Sequence, residues 1–81
     1  MIYLAISPAG LNQALKAATP NDVIWCGSDA ISEEAYAALS TRNLSRFIYA
    51  LGDRALLVDA LQTIEEHHPG QFIWVEAAPS A

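Results

Sequence analysis

Four short apolar segments alternate with three segments of helical periodicity along this chain, and no other feature restricts its fold as much. The apolar segments, rich in β-branched and aromatic residues, are residues 2–6, 23–26, 46–51 and 71–75. Three of them are almost continuous apolar runs, which is typical of strands that are covered on both faces of a sheet. The pattern therefore predicts four strands of a parallel sheet.

The segments between these strands carry apolar residues at helical spacing. The first follows Ser7-Pro8, the second follows Ser32 and the third follows Asp53. Serine and aspartate commonly cap helix N-termini, and Pro69-Gly70 is a typical stop for the third helix. The apolar positions are Leu11, Ala14, Leu15 and Ala18, then Ala35, Ala38 and Leu39, and finally Leu57, Ala60, Leu61 and Ile64.

The predicted order of elements is βαβαβαβ, which indicates an α/β fold with a small parallel four-stranded sheet and right-handed crossovers. We expect a flavodoxin-like three-layer sandwich. In that arrangement the first strand is central, the second lies at one edge, and the third and fourth lie on the other side. The first helix then covers one face and the other two helices cover the opposite face. A length of 81 residues allows one domain, predicted at residues 1–76 with a flexible C-terminal tail at 77–81.

Charge and apolar length exclude several classes of function. The net charge is −5 with four lysine and arginine residues, so we expect no direct binding of nucleic acid, which requires a positive surface. No segment approaches the roughly 20 apolar residues of a membrane span. The N-terminus also lacks the basic region of a signal peptide. The sequence therefore predicts a cytoplasmic protein without a membrane segment.

Cys26, the single cysteine, ends the second apolar segment. A thiol at the carboxyl end of a strand, near a helix N-terminus, can have a lowered pKa and carry sulfur. A free cysteine can equally pack as a small apolar residue. No Lys, Arg or His lies within several residues along the sequence to stabilise a thiolate, and Asp29 would oppose one. We therefore predict a structural role for Cys26, with sulfur chemistry at its thiol as the alternative.

The sequence predicts no cofactor and no metal site. The loops after the first three apolar segments lack the glycine fingerprints of nucleotide-binding loops. Glu65 and His68 can share a helix face, but two side chains do not make a metal site. Asp53 and Arg54 follow the third apolar segment, where ligands bind in such sheets, although helix capping explains Asp53 equally well. Because no catalytic constellation assembles, an enzyme is the less favoured interpretation.

The aromatic side chains are numerous for so small a core and indicate a protein interface, with ordinary packing as the alternative. One helix covers about 10 Å of sheet width, or roughly two strands. The expected arrangement therefore leaves half of the first helix's face bare, beside the third and fourth strands. We expect a homodimer or hetero-oligomer through this face, with Phe72 or Trp74 near its centre. The predicted interface residues are Trp25, Tyr49, Phe72 and Trp74.

The order of short motifs along the chain resembles the DsrH/TusB branch of the DsrE/DsrF/DsrH-like family. The matching pieces cover most of the chain. They are Ser7-Pro8, residues 10–22 and 23–31, Tyr36-Ala37-Ala38-Leu39, residues 47–51, Val58-Asp59, His68 and Trp74. The resemblance implies a flavodoxin-like parallel sheet that assembles into oligomers.

The resemblance also implies a role in sulfur relay, in which persulfide sulfur passes between cysteines toward tRNA 2-thiouridine synthesis or sulfur oxidation. The principal acceptor cysteine of that family lies on the DsrE/TusD-type subunit, and DsrH/TusB-type chains are chiefly structural. Some of them carry a cysteine in the first helix, where this chain has Ala14. We expect a non-catalytic subunit that binds DsrE/TusD-like and DsrF/TusC-like subunits or forms a homodimer. The alternatives are an α/β interaction module of an unrelated pathway and a sulfur carrier that uses Cys26.

Overall fold

The computed structural model describes residues 1–39 and 43–76, so the tail predicted at 77–81 lies outside the described residues. Within them the chain forms four strands and three helices in the order βαβαβαβ. The strands are β1 (Ile2–Ala5), β2 (Val23–Cys26), β3 (Leu44–Arg46) and β4 (Ile73–Val75), and the helices are α1 (Pro8–Ala17), α2 (Glu33–Leu39) and α3 (Arg54–His67). All strand pairs are parallel. The predicted α/β fold with a small, all-parallel four-stranded sheet is confirmed, and the arrangement of its layers is compatible with a small flavodoxin-like sandwich.

The helix ends follow from capping residues in the sequence. The Ser7 hydroxyl accepts a hydrogen bond from the Gly10 backbone N–H at 3.1 Å, which caps α1. Ser32 caps α2 in the same way, and the Asp53 carboxylate accepts from two backbone N–H groups in the first turn of α3. After α3, Gly70 has a φ of 77°, a left-handed conformation that favours glycine and reverses the chain. None of the described helices is long and apolar enough to cross a membrane.

The third strand starts earlier and ends sooner than predicted. The apolar segment predicts a strand over residues 46–51, and the strand is Leu44–Arg46. Phe47 still donates its backbone N–H to a β2 carbonyl at 2.8 Å, but Ile48 is 89% exposed and the Tyr49 carbonyl bonds to the loop after β2. The physical reason is the position of β3 at an edge of the sheet. The chain must cross two strands to reach β4, so it turns away over the carboxyl end of the sheet.

The strand order is β3-β2-β1-β4, so the expected strand order is wrong. β2 is internal and β4 pairs with β1, whereas the expectation placed β2 at an edge and β3 beside β1. Right-handed crossovers then put α1 and α2 on one face and leave α3 alone on the other. This is the order of the first four strands of the doubly wound arrangement 3-2-1-4-5-6. The apolar pattern of a strand shows that it is buried but does not encode which strand lies beside it.

Two apolar cores lie on the two faces of the sheet. Successive β1 side chains alternate between them, with Ile2 and Leu4 facing α3 and Tyr3 and Ala5 facing α1 and α2. The core under α3 contains Ile2, Leu4, Ile6, Phe47, Leu51, Ala60 and Ile64. The core under α1 and α2 contains Ala5, Leu11, Ala14, Ile24, Cys26, Ala30 and Leu44.

Candidate functional site

The loops that follow the strands meet at the carboxyl end of the sheet, where ligands bind in open α/β folds. The topological switch point lies between β1 and β4, because the chain leaves β1 toward β2 on one side and β4 enters on the other. The crevice between these two strands is therefore the candidate site.

Glu76, the residue after β4, fills this crevice with its own carboxylate. Its Oε1 atom accepts hydrogen bonds from the backbone N–H groups of Ile6 at 2.7 Å and Ser7 at 2.9 Å. Its Oε2 atom accepts a hydrogen bond from the Ser7 hydroxyl. The Glu76 backbone N–H donates to the Leu4 carbonyl at 2.9 Å and continues the pairing of β4 with β1. The Glu76 carboxylate thus accepts the hydrogen bonds of the Ile6 and Ser7 donors at the switch point.

Gly10 provides the room for this carboxylate. A Cβ atom at position 10 would overlap the carboxylate of Glu76. The Ser7 hydroxyl connects the two residues, since it donates to Glu76 and accepts from the Gly10 N–H. The negative charge also lies at the N-terminus of α1, which carries partial positive charge. Sequence reasoning missed Glu76 because its partner Ile6 lies 70 residues away. The signal available was a single acidic residue directly after the last apolar segment.

Cys26 ends β2 with its side chain fully buried in the core under α1 and α2. Burial raises the pKa of the Cys26 thiol to about 11, and Asp29 contributes to the increase while the charge of Arg46 lowers it. The thiol is therefore protonated at neutral pH. These observations favour the structural role that the sequence predicted.

Arg46 is a cation that lies beside Cys26 in the sheet, although no basic residue is near Cys26 along the sequence. The two residues are register partners on β3 and β2, although they are distant along the chain. The guanidinium donates from Nε to the Ile31 carbonyl at 2.8 Å and from Nη2 to the Ser28 carbonyl at 3.4 Å. Arg46 therefore holds the loop between β2 and α2 against the sheet edge.

The raised pKa of Cys26 makes the stability of the protein depend on alkaline pH. The pKa of the thiol is 9.0 in the unfolded chain, and burial raises it to about 11 in the folded chain. The stability that this group contributes is fully present below the unfolded pKa and is lost as the pH rises through the folded pKa. We expect Cys26→Ala to remove this alkaline dependence. The volume lost in Cys26→Ala should lower the free energy of unfolding by about 1–2 kcal/mol at neutral pH.

Urea unfolding of both proteins between about pH 7 and about pH 10 measures this difference. Equal slopes of unfolding free energy against pH in the two proteins would contradict the buried, protonated thiol.

Histidines and acidic residues do not gather into a metal site in the part of the chain that the structure describes. No group of three or more His, Cys, Asp or Glu side chains in residues 1–39 and 43–76 is placed to hold a metal ion. His67 donates from Nδ1 to the Thr63 carbonyl at 2.9 Å. The rings of His67 and His68 lie 5.6 and 6.2 Å from that of Trp25, so both histidines pack on this indole.

The four predicted interface residues form two separate pairs, one toward the β3 edge of the sheet and one at the β4 edge. Trp25 and Tyr49 are on the α3 face beside β3, and the ring of Phe47 lies 5.2 and 5.3 Å from theirs. Phe72 and Trp74 are at the other end, at the edge formed by β4. The expectation of one patch beside the third and fourth strands is wrong, because these strands are not neighbours. The half-covered face also belongs to α3 rather than to α1.

The β4 edge carries exposed aromatic side chains. Trp74 is 38% exposed and Phe72 is 85% exposed. The Trp74 ring packs on that of Tyr3 with centroids 5.8 Å apart and an angle of 59° between the planes. A groove of about 350 Å³ separates this pair from α1, since α1 lies over β1 and β2 and leaves β4 uncovered on that face. The groove is lined by Met1, Tyr3, Gln13, Ala14, Ala17 and Trp74.

Three features of the described residues therefore bear on function: the filled crevice, the buried thiol and the exposed apolar edge. Comparison of the chain with protein-family models, with curated proteins and with solved structures finds no match. Of the three features, the edge of β4 is the one that faces outward.

Proposed function

We propose that this chain is a non-catalytic subunit that binds another protein through β4. The observation that carries the proposal is the exposure of large aromatic side chains at the edge of the sheet. Phe72 is 85% exposed and Trp74 is 38% exposed. Aromatic residues are enriched in protein interfaces and dominate their binding energy.

The backbone of β4 supports the same proposal. Phe72 and Glu76 make backbone hydrogen bonds to β1, so the backbone groups of Ile73 and Val75 point to the open side of the strand. Residues 71–75 include none of the charged residues or prolines that usually protect an exposed edge from pairing. A strand of a partner can add at this edge and extend the sheet.

The partner that we propose is another α/β subunit of a cytoplasmic sulfur-relay assembly, of the DsrE/TusD-like or DsrF/TusC-like type. The order of motifs along the sequence supports this class of partner. The parallel α/β sandwich is consistent with it. The burial of Cys26 suits a structural subunit better than one that carries sulfur itself. A homodimer and a partner from an unrelated pathway are the other outcomes of the test.

The test is capture of partners by the tagged full chain from a native extract, followed by mass spectrometry. Phe72→Ser removes an exposed aromatic group from the β4 edge without touching the core. Ile48→Ser is the matched control, because Ile48 is 89% exposed and follows the strand at the opposite edge. We expect wild type and Ile48→Ser to capture DsrE- or DsrF-like subunits and Phe72→Ser to lose them.

Light scattering of the purified proteins separates the remaining outcomes. A dimer of the pure chain that Phe72→Ser abolishes would replace the hetero-oligomer with a homodimer. A monomer whose captured partners are unaffected by Phe72→Ser would refute the role of β4.

A second candidate is a sulfur carrier that uses Cys26, and the position of Arg46 beside the thiol favours it. The raised pKa of the thiol, about 11, opposes it, because the thiolate is the nucleophile in sulfur transfer. Iodoacetamide labelling at neutral pH decides between the two. We expect the native protein to label far more slowly than the urea-unfolded protein. A native rate at or above the unfolded rate would favour the carrier.

A further inference from the structure

Glu76 takes the place of a backbone rung in the sheet. The Ile2 N–H donates to the Phe72 carbonyl, and the ladder repeats every second residue, so the Ile6 N–H would next bond to the carbonyl of residue 76. It bonds instead to the Glu76 carboxylate, at 2.7 Å. The side chain thus terminates the β1–β4 pairing and crosses to the N-terminus of α1.

β4 is attached to the sheet by a short ladder on one side. It is three residues long and forms its ladder with β1 alone in the described sheet. Its Trp74 and the preceding Phe72 are exposed, so part of its side-chain surface adds little burial. The bonds from Ile6 and Ser7 end on an ionised carboxylate, and charge-assisted hydrogen bonds are stronger than neutral ones.

We propose that the Glu76 carboxylate is a latch that holds β4 on β1. With the latch closed, β4 is docked and the Ser7 hydroxyl is oriented to cap α1. With the latch removed, β4 opens locally while β1, β2 and β3 stay paired, because the buried residues of both cores lie outside β4, whose Ile73 and Val75 are only partly buried. The latch concerns this chain alone and stands whether or not β4 binds a partner.

The test is amide hydrogen exchange of the full chain followed by NMR. In Glu76→Ala we expect about tenfold to a hundredfold faster exchange at the amides of Trp74 and residue 76, which lie in the β4–β1 ladder. The amides of Ile24 and Phe47, which bond β2 to β3, should exchange at the wild-type rate and provide an internal control. Glu65→Ala, at an exposed position on α3, should change neither set.

Two other patterns of exchange would refute the latch. A uniform increase at all four amides would mean general destabilisation. An increase confined to Ile6 and Ser7 would mean that Glu76 only covers the start of α1. If Glu76→Ala does not fold, Glu76→Gln keeps one carbonyl acceptor and removes the charge. A folded Glu76→Gln protein with unchanged exchange at Trp74 would then overturn the proposal.

Gly10→Ala tests the latch from its other side. The added methyl group would overlap the Glu76 carboxylate and displace it. We expect Gly10→Ala to speed exchange at the same two β4 amides as Glu76→Ala. In the Glu76→Ala background the methyl group meets no carboxylate, so it should add nothing further. An additive effect of the two changes would contradict a shared mechanism.

Discussion

Leu4→Ala should remove a large part of the stability of this domain. Leu4 is fully buried in β1, one of the two internal strands, and packs into the core under α3. Leucine-to-alanine changes at such positions cost about 2–5 kcal/mol, because the removed atoms lose their burial and leave a cavity. The total free energy of unfolding of a small domain is only about 5–15 kcal/mol. Urea unfolding followed by circular dichroism measures the loss.

Val58→Ala is the control for this change. Val58 is an apolar residue on α3 that is 58% exposed, so its truncation should change stability by no more than about 0.5 kcal/mol. A cost for Leu4→Ala that does not exceed that of Val58→Ala would contradict the burial of Leu4 in the core under α3.

Gly27→Ala should destabilise the carboxyl end of the sheet. A Cβ atom at position 27 would lie 2.8 Å from Leu51 Cγ and 3.0 Å from the Leu51 backbone nitrogen. It would also lie 2.6 Å from Oδ1 of Asp29. Leu51 is 1% exposed and belongs to the core, so it cannot move aside freely. We expect a cost of about 1–3 kcal/mol, the usual range for an overpacked position.

Gly52→Ala provides a matched glycine in the same region. A Cβ atom there would meet Asp29 Oδ2 at 3.5 Å, which is an ordinary contact. Thermal unfolding of the two variants should therefore show a lower Tm for Gly27→Ala and a near wild-type Tm for Gly52→Ala. Equal shifts would mean that the loops after β2 and β3 do not pack as closely as described.

Asp29 helps to connect the loop after β2 to the loop after β3. Its Oδ1 atom accepts a hydrogen bond from the Leu51 backbone N–H at 3.4 Å, and the Ser28 N–H donates to the Tyr49 carbonyl at 3.0 Å. The loops after β2 and β3 are thereby joined to each other. Hydrogen bonds between these loops stabilise the carboxyl end of the sheet beside β2 and β3, and the Glu76 carboxylate does so beside β1 and β4.

The sequence by itself determined the elements and their order. Apolar runs and helical spacing are local properties, and so are the caps at Ser32 and Asp53 and the stop at Gly70. The burial of Cys26 also follows from its place at the end of an apolar run. Each of these features depends on residues within a few positions of one another, which is why the sequence reveals them.

The tertiary structure alone decided which strands are neighbours and which distant residues come into contact. The order β3-β2-β1-β4 separates Tyr49, which follows β3, from Phe72 and Trp74 at β4, although the third and fourth strands were expected side by side. It also places Arg46 beside Cys26, and Glu76 against Ser7 and Gly10. Such pairings depend on which crossover each helix makes and on the register of neighbouring strands. Those are set by the packing of the whole chain, so no local pattern in the sequence carries them.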